Sequence, residues 1–567
     1  MKLSPVTKQS EQHRWYVAPE QSSVFTKAGL HGREERVIKA ANMNIQQDSK
    51  TRTIFLLPIQ EDLRFLVKRY KIFNSLERIK SFISSSKAAH EFKMHRYLKA
   101  KFIPVSQPIA YLENRRGSKL LESYLFLTEI PNAVTLKQFV TERNPLPIIL
   151  KKQLLKKLGE MMRQVHMADF SHDDLHIGNI LVSIENNPAA GEEPRFKLYL
   201  TDFHRSRRIN LTAIKKINNL GMLCYSLRLV FPLTDIVRFL TYYRSLDIRK
   251  ETIKPFVKHV LQASERVKFR HWISRTKRCL KQSGEFSTDT TAFPQPGENG
   301  SSMFKVYHKR LLPINRITEL VKSHMELKPE ELFKTTPKRV ISVLTLSETE
   351  KCYVKEYRYS IKNIFADIFR MHSAKSDWFA HNGLKVRGIH APEALAMCEK
   401  RVGPFVLKAH IITKEIKDAL PSGQYASINL TADTLPAIKK RYLKELAGEI
   451  AHLHQKGIYH ADLKANNILV AEIKNVKEDD IDWAFHFIDL DRVRFDKGAI
   501  DWSERIKNLA QLNAATPGII TNADRLRFLH FYLSCFEPLP SVRQKEIIAE
   551  VMKQTILRNH FWPEKKQ

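Results

Sequence analysis

Clustered cysteines and long apolar runs are both missing from this 567-residue chain. The five cysteines are odd in number and widely spaced, and no two form a CxxC pair, so neither a disulfide scaffold nor a zinc site is indicated. Such usage is typical of a reducing, cytosolic setting. No stretch reaches the ~18 apolar residues of a membrane span, and the polar segment 1–16 lacks the apolar run of a signal peptide. We therefore expect a protein that is soluble or peripheral to a membrane.

Acidic residues are scarce relative to basic ones. Lys and Arg number 94 against 60 Asp and Glu, which gives a formal net charge of +34. An excess of this size attracts polyanions such as nucleic acid, an anionic membrane face or a phosphorylated substrate. No aromatic-rich recognition module accompanies the charge, so nucleic-acid binding is not expected.

The chain repeats itself at an almost constant offset. The decapeptides HDDLHIGNIL (172–181) and HADLKANNIL (460–469) share six residues at an offset of 288. Three further pairs follow the same order at offsets of 287 to 289: Val67–Tyr70 with Val354–Tyr357, Asp202–Arg205 with Asp489–Arg492, and Asp235–Tyr243 with Asp524–Tyr532. Chance does not plausibly produce four ordered matches, so the sequence indicates a tandem duplication.

A polar segment rich in Pro and Gly separates the two copies. Residues 283–302 have the composition of a loop or linker. We therefore predict a first domain over residues 1–300, which ends in this linker, and a second domain over residues 301–567.

Each copy has the same predicted order of elements. Short β-favouring runs end on a lysine at Arg64–Lys68 and at Lys351–Lys355. An amphipathic helix precedes each decapeptide, and strands follow at Phe196–Leu200 and Ala484–Ile488. The rest of each copy is mostly helical. The pattern predicts an α+β fold in which each copy has a small β-rich N-terminal lobe and a helical C-terminal lobe.

Each copy contains a candidate for every role in phosphoryl transfer from ATP. This reaction needs cations on the phosphates, Mg²⁺ with hard oxygen ligands, and a base for the acceptor hydroxyl. The candidates for phosphate binding are a strand lysine with a helical carboxylate, Lys68 with Glu91 and Lys355 with Asp377. The candidate catalytic bases are Asp174 and Asp462. The candidate Mg²⁺ ligands are Asn179 and Asp202 in the first copy and Asn467 and Asp489 in the second.

Other residues near these motifs allow more than one interpretation. His172 and His460 are expected to brace the loop by hydrogen bonds rather than to act in catalysis. Arg205 and Arg492 either contact phosphate or substrate or form structural salt bridges. Asp377 is one methylene shorter than Glu, so its ion pair is expected at closer range or through water.

These motifs resemble the bacterial lipopolysaccharide kinase family, which includes the Kdo and heptose kinases of the inner core and is a branch of the protein-kinase-like superfamily. The resemblance rests on H-x-D-L-x-x-x-N-I-L, on D-x-x-R after a strand and on a late D-x-x-R-F-L-x-x-Y, with 278–286 similar to a segment late in the family's domain. It implies two tandem bilobal kinase folds that use ATP and Mg²⁺. It also implies a sugar hydroxyl of a lipopolysaccharide core glycolipid as acceptor, at the cytoplasmic face of the inner membrane, which suits the basic charge.

The sequence departs from protein kinases in two places. No G-x-G-x-x-G loop precedes either lysine: Gly29 and Gly32 are the nearest glycines in the first copy, and none lies between Ser302 and Lys355. Phosphate cradling by backbone amides must therefore be weaker or built differently. Two residues after the candidate base, the first copy has His176 where the second has Lys464. Whether both copies are active stays open.

Two alternatives to a lipopolysaccharide kinase remain at this point. A protein kinase would share the phosphate-transfer residues and differ only in its acceptor site. A scaffold in which one or both copies are pseudokinases would bind nucleotide or a partner without turnover. Loss of a candidate base or metal ligand would favour the scaffold, and neither copy has lost one.

Overall fold

The chain folds into two compact units, Met1–Val267 and Lys268–Gln567. We describe them from a computed structural model. It describes residues 13–30, 37, 45–49, 51–60, 63–72, 85–143, 145–184, 196–244, 250–292, 302–360, 364, 370–431, 434–474 and 481–558.

The first unit begins with a six-stranded antiparallel sheet in the order β1-β5-β6-β4-β3-β2. Its strands are β1 (His13–Val17), β2 (Ile45–Asp48), β3 (Arg52–Gln60), β4 (Leu63–Lys71), β5 (Pro108–Arg116) and β6 (Lys119–Thr128). Alternate residues of β3 and β4 are buried, including Phe55, Leu57, Phe65 and Val67. This alternation places one face of the sheet in an apolar core. Helices α1 (Ser22–Lys27) and α2 (Lys87–Ala100) accompany the sheet.

The remainder of the first unit is mainly helical. It contains α3 (Leu136–Glu142), α4 (Ile148–Met167), α5 (Ala213–Leu227), α6 (Leu233–Arg244) and the greater part of α7 (Lys250–Thr276), which continues past Val267. Short strands lie among them: β7 (Ala133–Thr135), β8 (Phe170–Ser171), β9 (Ile180–Ile184), β10 (Phe196–Leu200) and β11 (Arg207–Arg208). Leu155, Leu158, Met162 and Val165 of α4 are all buried, as the apolar spacing predicts.

The second unit begins with a seven-stranded antiparallel sheet in the order β12-β13-β17-β18-β16-β15-β14. Its strands are β12 (Phe286–Ala292), β13 (Ser302–His308), β14 (Lys334–Thr336), β15 (Arg339–Ser347), β16 (Glu350–Arg358), β17 (Ala394–Val402) and β18 (Phe405–Lys414). Helices α8 (Ile314–Glu326) and α9 (Ser373–Arg387) accompany this sheet.

The rest of the second unit repeats the helical arrangement of the first. Its helices are α10 (Ser422–Asn429), α11 (Pro436–Gln455), α12 (Trp502–Ala514), α13 (Asn522–Ser534) and α14 (Ser541–Ile556). Its strands are β19 (Leu420–Pro421), β20 (Ile458–His460), β21 (Ile468–Lys474), β22 (Ile481–Phe487) and β23 (Val493–Phe495). Strand β22 overlaps the strand predicted at 484–488, but it begins three residues earlier and ends one residue earlier.

The two units share one topology. With β12 set aside, β13-β17-β18-β16-β15-β14 has the same strand order as β1-β5-β6-β4-β3-β2, and α9 occupies the place of α2. In each unit the sheet precedes the helical part along the chain. The prediction of an α+β fold with two tandem two-lobed domains is confirmed.

The division between the units differs from the predicted boundary near residue 300. Residues 286–292, which the sequence assigns to the linker, form β12 and pair along their whole length with β13. The indole of Trp378 on α9 donates a hydrogen bond to the carbonyl of Cys279 (2.8 Å), and the ring of Phe286 packs edge-on against Trp378. The end of the predicted first domain therefore packs as part of the second unit. Residues 293–301 of the predicted linker lie outside the described residues.

None of the described helices is both long enough and apolar enough to cross a membrane.

Candidate active site

A buried ion pair joins the sheet and helix α2 in the first unit. Lys68 Nζ on β4 lies 2.5 Å from Glu91 Oε1, and both side chains are almost completely buried. The Tyr70 hydroxyl donates to the other carboxylate oxygen of Glu91, and the backbone N–H of Phe203 donates to Oε1 (3.3 Å). Burial alone would raise the pKa of Glu91, but the charge of Lys68 and the interaction with His95 together outweigh it and hold that pKa well below its usual value. The carboxylate is therefore charged and keeps the lysine in place.

The corresponding lysine of the second unit is shared by two carboxylates. Lys355 Nζ lies 3.3 Å from Asp377 Oδ2 and 2.9 Å from Asp489 Oδ1. Burial would lower the pKa of Lys355, but the charges of Asp377 and Asp489 raise it instead. Tyr357 donates a hydrogen bond to Asp377 Oδ2 (2.6 Å), as Tyr70 does to Glu91. The shorter acid thus contacts its lysine directly, over a longer distance than in the first unit.

The loop between β8 and β9 holds the candidate base and a candidate metal ligand of the first unit. Asn179 Nδ2 donates to the carbonyl of Asp174 (2.9 Å), so its amide oxygen is not used in this bond. The N–H of Thr201, next to Asp202, donates to the carbonyl of Asn179 (3.1 Å). The second unit has the same bonds: Asn467 Nδ2 to the carbonyl of Asp462 (2.8 Å) and Ile488 N–H to that of Asn467 (3.0 Å).

His172 braces this loop. Its Nδ1 accepts the backbone N–H of Asp174 (3.3 Å), so Nε2 carries the proton and donates to the carbonyl of Thr201 (2.9 Å). Burial lowers the pKa of His172, which keeps the ring neutral. His460 makes the same two bonds with Asp462 and Ile488. The expectation that these histidines brace the loop agrees with this geometry.

A second layer fixes the bracing histidines, and the sequence reasoning missed it. Asn219 on α5 donates to the carbonyl of His172 (2.9 Å), and its amide oxygen lies 3.1 Å from His166 Nε2. In the second unit Asn508 on α12 donates to the carbonyl of His460 (2.8 Å) and lies 3.2 Å from His454 Nε2.

The candidate metal aspartates share an unusual backbone conformation. Asp202 has φ of 67° and Asp489 has φ of 57°, in the left-handed region that costs most residues energy but that Asp adopts comparatively readily. Both residues follow a strand, β10 or β22, and the conformation turns the chain sharply there. Strain conserved at the same point of both copies is typical of a functional site.

Each candidate metal aspartate also pairs with an arginine that the sequence reasoning missed. Arg52 Nη1 lies 2.7 Å from Asp202 Oδ2, and Arg339 Nη1 lies 2.8 Å from Asp489 Oδ1. Burial would raise the pKa of Asp202, but hydrogen bonding from His204 and the charges of Lys68 and Arg52 hold it well below its usual value.

The two sites differ in the residue two positions after the metal aspartate. His204 Nδ1 lies 2.6 Å from Asp202 Oδ1 in the first unit. The second unit has Asp491 there, whose Oδ2 accepts from Arg339 Nη2 (2.6 Å). Burial raises the pKa of Asp491. The candidate metal aspartate thus has a histidine neighbour in one unit and an acid in the other.

The residues after the candidate base also differ. His176 Nδ1 accepts the N–H of Gly178 (3.0 Å), so this histidine caps a short turn. Lys464 instead lies 2.9 Å from Asp462 Oδ1. Arg205 lies 3.8 Å from Asp174 Oδ2, which is a weak ion pair at an exposed position. The structure therefore brings the predicted residues of each copy into one site and leaves Asp174 and Asp462 in different electrostatic surroundings.

The oxygen donors at each site suit Mg²⁺. An amide oxygen and a carboxylate from adjoining strand ends, Asn179 with Asp202 and Asn467 with Asp489, are hard ligands. A divalent cation would have to compete with the arginine for the carboxylate.

A family profile matches this chain twice. The profile described as "Lipopolysaccharide kinase (Kdo/WaaP) family" matches residues 65–243 and residues 339–532, together more than half of the chain. The chain belongs to this family. Each matched segment lies within one of the two compact units, so the duplication is a duplication of the family's domain.

Curated relatives carry the same family name. The chain is 25% identical over 132 residues to the lipopolysaccharide core heptose(I) kinase WaaP of Escherichia coli strain K12. The aligned segment covers 23% of this chain and 49% of that protein. A second Escherichia coli protein of the same name is 24% identical over 145 residues, covering 25% of this chain and 54% of the relative. The chain thus spans about half the length of the curated relatives it matches.

Solved kinase structures are also similar. A structure of WaaP in complex with acyl carrier protein has 20% sequence identity and a TM-score of 0.33, and covers 42% of this chain and 92% of that chain. The kinase domain of PknI from Mycobacterium tuberculosis has 10% sequence identity and a TM-score of 0.25, and the match covers 39% of this chain and 94% of that chain. The fold assignment itself rests on the element order and on the family profile.

Proposed function

We propose that each unit transfers the γ-phosphoryl group of ATP to a sugar hydroxyl of the lipopolysaccharide inner core, on heptose or Kdo. Family membership and the curated heptose kinases support this reaction class. One observation carries the proposal furthest: both units keep a buried lysine–carboxylate pair, a braced loop with an aspartate and an asparagine, and a strained aspartate after a strand.

Within this proposal the loop aspartate is the base. Asp174 accepts the proton of the acceptor hydroxyl while the hydroxyl oxygen forms its bond to the γ-phosphorus. The bond from the γ-phosphorus to the β,γ-bridging oxygen breaks, and ADP leaves with that electron pair. Lys68, held by Glu91, offsets charge on the nucleotide phosphates. In the second unit the same roles fall to Asp462 and to Lys355 with Asp377.

Asn179 and Asp202, and Asn467 and Asp489, are proposed to hold Mg²⁺. Bound Mg²⁺ neutralises negative charge on the phosphate oxygens. Asn179 donates a hydrogen bond to the carbonyl of Asp174, so the proposed Mg²⁺ ligand and the proposed base are positioned together.

The acceptor and its location are the finer part of the proposal. A core glycolipid is anionic and lies at the cytoplasmic face of the inner membrane, which a chain of net charge +34 would approach with electrostatic assistance. We propose a protein that acts in the cytoplasm and binds this membrane face peripherally.

The test is transfer from labelled ATP with Mg²⁺ to purified core glycolipid, beside generic protein substrates and a reaction without acceptor. Wild type is compared with Asp174→Asn, Asp462→Asn and the double variant. We expect label on the glycolipid that each single variant reduces and the double variant abolishes. Loss with only one single variant would assign the chemistry to one unit.

Asp173→Asn is a matched control for Asp174→Asn. The Asp173 carboxylate is engaged by Ser171 Oγ and Arg207 rather than by the proposed machinery, so transfer should persist. Label on proteins and not on glycolipid would favour the protein-kinase alternative. Equal background transfer by wild type and the double variant would sink the proposal and favour a scaffold.

A further inference from the structure

The hairpin that precedes the lysine strand lies where protein kinases carry their glycine-rich loop. In the first unit β2 ends at Asp48, β3 begins at Arg52, and β3 pairs with β4, which carries Lys68. In the second unit β14 and β15 are joined at 337–338, and β15 pairs with β16, which carries Lys355. Neither turn contains glycine, so another group must supply phosphate contacts there.

An arginine begins the second strand of each hairpin and faces the same side as the lysine. Arg52 is opposite Tyr70 and Ile54 is opposite Lys68, so Arg52 and Lys68 project from one face of the sheet. In the second unit Arg339 is opposite Tyr357, in the identical register two residues from Lys355.

The arginine reaches the strained aspartate in both units. Arg52 and Asp202, and Arg339 and Asp489, are each 150 residues apart in sequence and lie within 2.8 Å. The arginine side chains keep 21% and 28% of their surface exposed, so neither is sealed from solvent. A planar guanidinium binds phosphate oxygens in the same two-pronged way as it binds a carboxylate.

We propose that Arg52 and Arg339 are nucleotide-binding residues that replace the missing glycine-rich loop. Without nucleotide, each guanidinium neutralises the metal aspartate. When a nucleotide with its divalent cation enters, the cation takes the carboxylate and the guanidinium transfers to the terminal phosphate oxygens. This inference rests on the proposed function of the site, because it takes Asp202 and Asp489 as the metal ligands.

The second unit contains an extra competitor for its arginine. Arg339 binds Asp489 through Nη1 and Asp491 through Nη2, so both prongs are occupied by carboxylates. In the first unit His204 takes the place of Asp491, and Arg52 has one carboxylate partner among the ion pairs of the described residues. The first unit should therefore bind triphosphate more tightly than the second.

The experiment measures nucleotide affinity by calorimetry on the full chain, with Mg²⁺ and with ATP, ADP and AMP in turn. For Arg52→Gln and Arg339→Gln we expect ATP affinity at one of two sites to fall tenfold or more, ADP affinity to fall less, and AMP affinity to stay unchanged. Arg52→Lys keeps the positive charge but loses the two-pronged guanidinium, so its ATP affinity should lie between those of wild type and Arg52→Gln. Thermal unfolding checks that each variant is folded.

Arg69→Gln is the matched control, because Arg69 lies on β4 beside Lys68 but pairs with Glu122, with a similar exposed fraction. Equal losses for ATP, ADP and AMP, the same loss in Arg69→Gln, unchanged ATP affinity in Arg52→Gln, or no nucleotide binding by wild type would each overturn the inference. Phosphate-dependent losses without any transfer to glycolipid would sustain it while refuting the proposed acceptor. Normal transfer to glycolipid with unchanged ATP affinity in Arg52→Gln would support the proposed acceptor and refute the role of the arginine.

Discussion

Lys355 Nζ lies closer to Asp489 Oδ1, at 2.9 Å, than to Asp377 Oδ2, its helical partner, at 3.3 Å. In the first unit Lys68 is held by Glu91 at 2.5 Å. Because Asp377 is one methylene shorter than Glu91, Lys355 divides its contacts between Asp377 on the helix and Asp489. Under the proposed function, a lysine bound to Asp489 is less available to a nucleotide phosphate.

Asp377→Glu should therefore strengthen ATP binding by the second unit. A longer side chain restores the close pair and releases Asp489, so we expect the KM for ATP to fall by up to about tenfold, which corresponds to about 1.4 kcal/mol. The reciprocal change Glu91→Asp should raise the KM of the first unit. Steady-state kinetics with the other unit silenced by its Asp→Asn variant checks both. A rise in KM for Asp377→Glu would contradict the argument.

The tyrosine hydroxyls that contact the helical carboxylates should stabilise each sheet. Tyr357→Phe leaves an oxygen of buried Asp377 with one bond fewer, which costs about 1–3 kcal/mol in the free energy of unfolding. Urea unfolding measures the change. Tyr353→Phe on the same strand is the control and should stay within about 0.5 kcal/mol of wild type. Equal effects of the two variants would show that the contact to Asp377 does not matter.

Stability should fall with acid through a buried histidine of the second unit. Burial lowers the pKa of His454 to about 3, against about 6.5 for an unperturbed histidine. The unfolded chain therefore binds a proton below about pH 6.5 that the folded chain refuses, and the free energy of unfolding decreases as pH falls from there toward 3. The loss is on the order of a few kcal/mol.

His454→Gln should flatten this pH dependence, as measured by urea unfolding between pH 4 and 8. The exposed His530 is the control, and His530→Gln should leave the slope as in wild type. His166 in the first unit, with a pKa lowered by burial to about 4, should behave in the same way. An unchanged slope in His454→Gln would remove this histidine from the explanation of acid sensitivity.

Asn508 should act on the chemical step through the loop that it anchors. Asn508→Ala removes the hydrogen bond to the carbonyl of His460, so the loop that carries Asp462 loses its register. We expect the kcat of the second unit to fall by about tenfold to a hundredfold with little change in the KM for ATP. Asn513→Ala, on the same helix, contacts Thr555 instead and should leave kcat unchanged. A shift confined to KM would argue against a positioning role.

The loop and strand residues of the candidate site could be predicted from the sequence because they lie in short local motifs, and the structure brings them close together. Arg52 and Arg339 were missed because an arginine on a strand resembles a surface charge and its partner lies 150 residues away. Their offset of 287 is nevertheless the offset of the lysine motif, as is that of Tyr70 and Tyr357. Aligning the two copies position by position would have identified them.

The boundary near residue 300 was missed for a different reason. Strand β12 has the sequence FSTDTTA, whose Ser, Asp and Thr residues are typical of loops. As an edge strand it pairs on one side only and tolerates polar side chains, while threonine itself favours strands. Composition alone does not separate such a strand from a linker.

Strand β12 makes the sheet of the second unit depend on residues that precede the second sequence repeat. A gene fragment that starts at codon 301 would encode the second repeat without β12, and β13 would become an unprotected edge. Such a fragment would also lack Cys279 and Phe286, so Trp378 would lose the hydrogen bond to the first and the ring contact with the second. A second half that begins at residue 301 would thus lack an edge strand and part of the packing around Trp378, so residue 301 is a poor place to divide the chain.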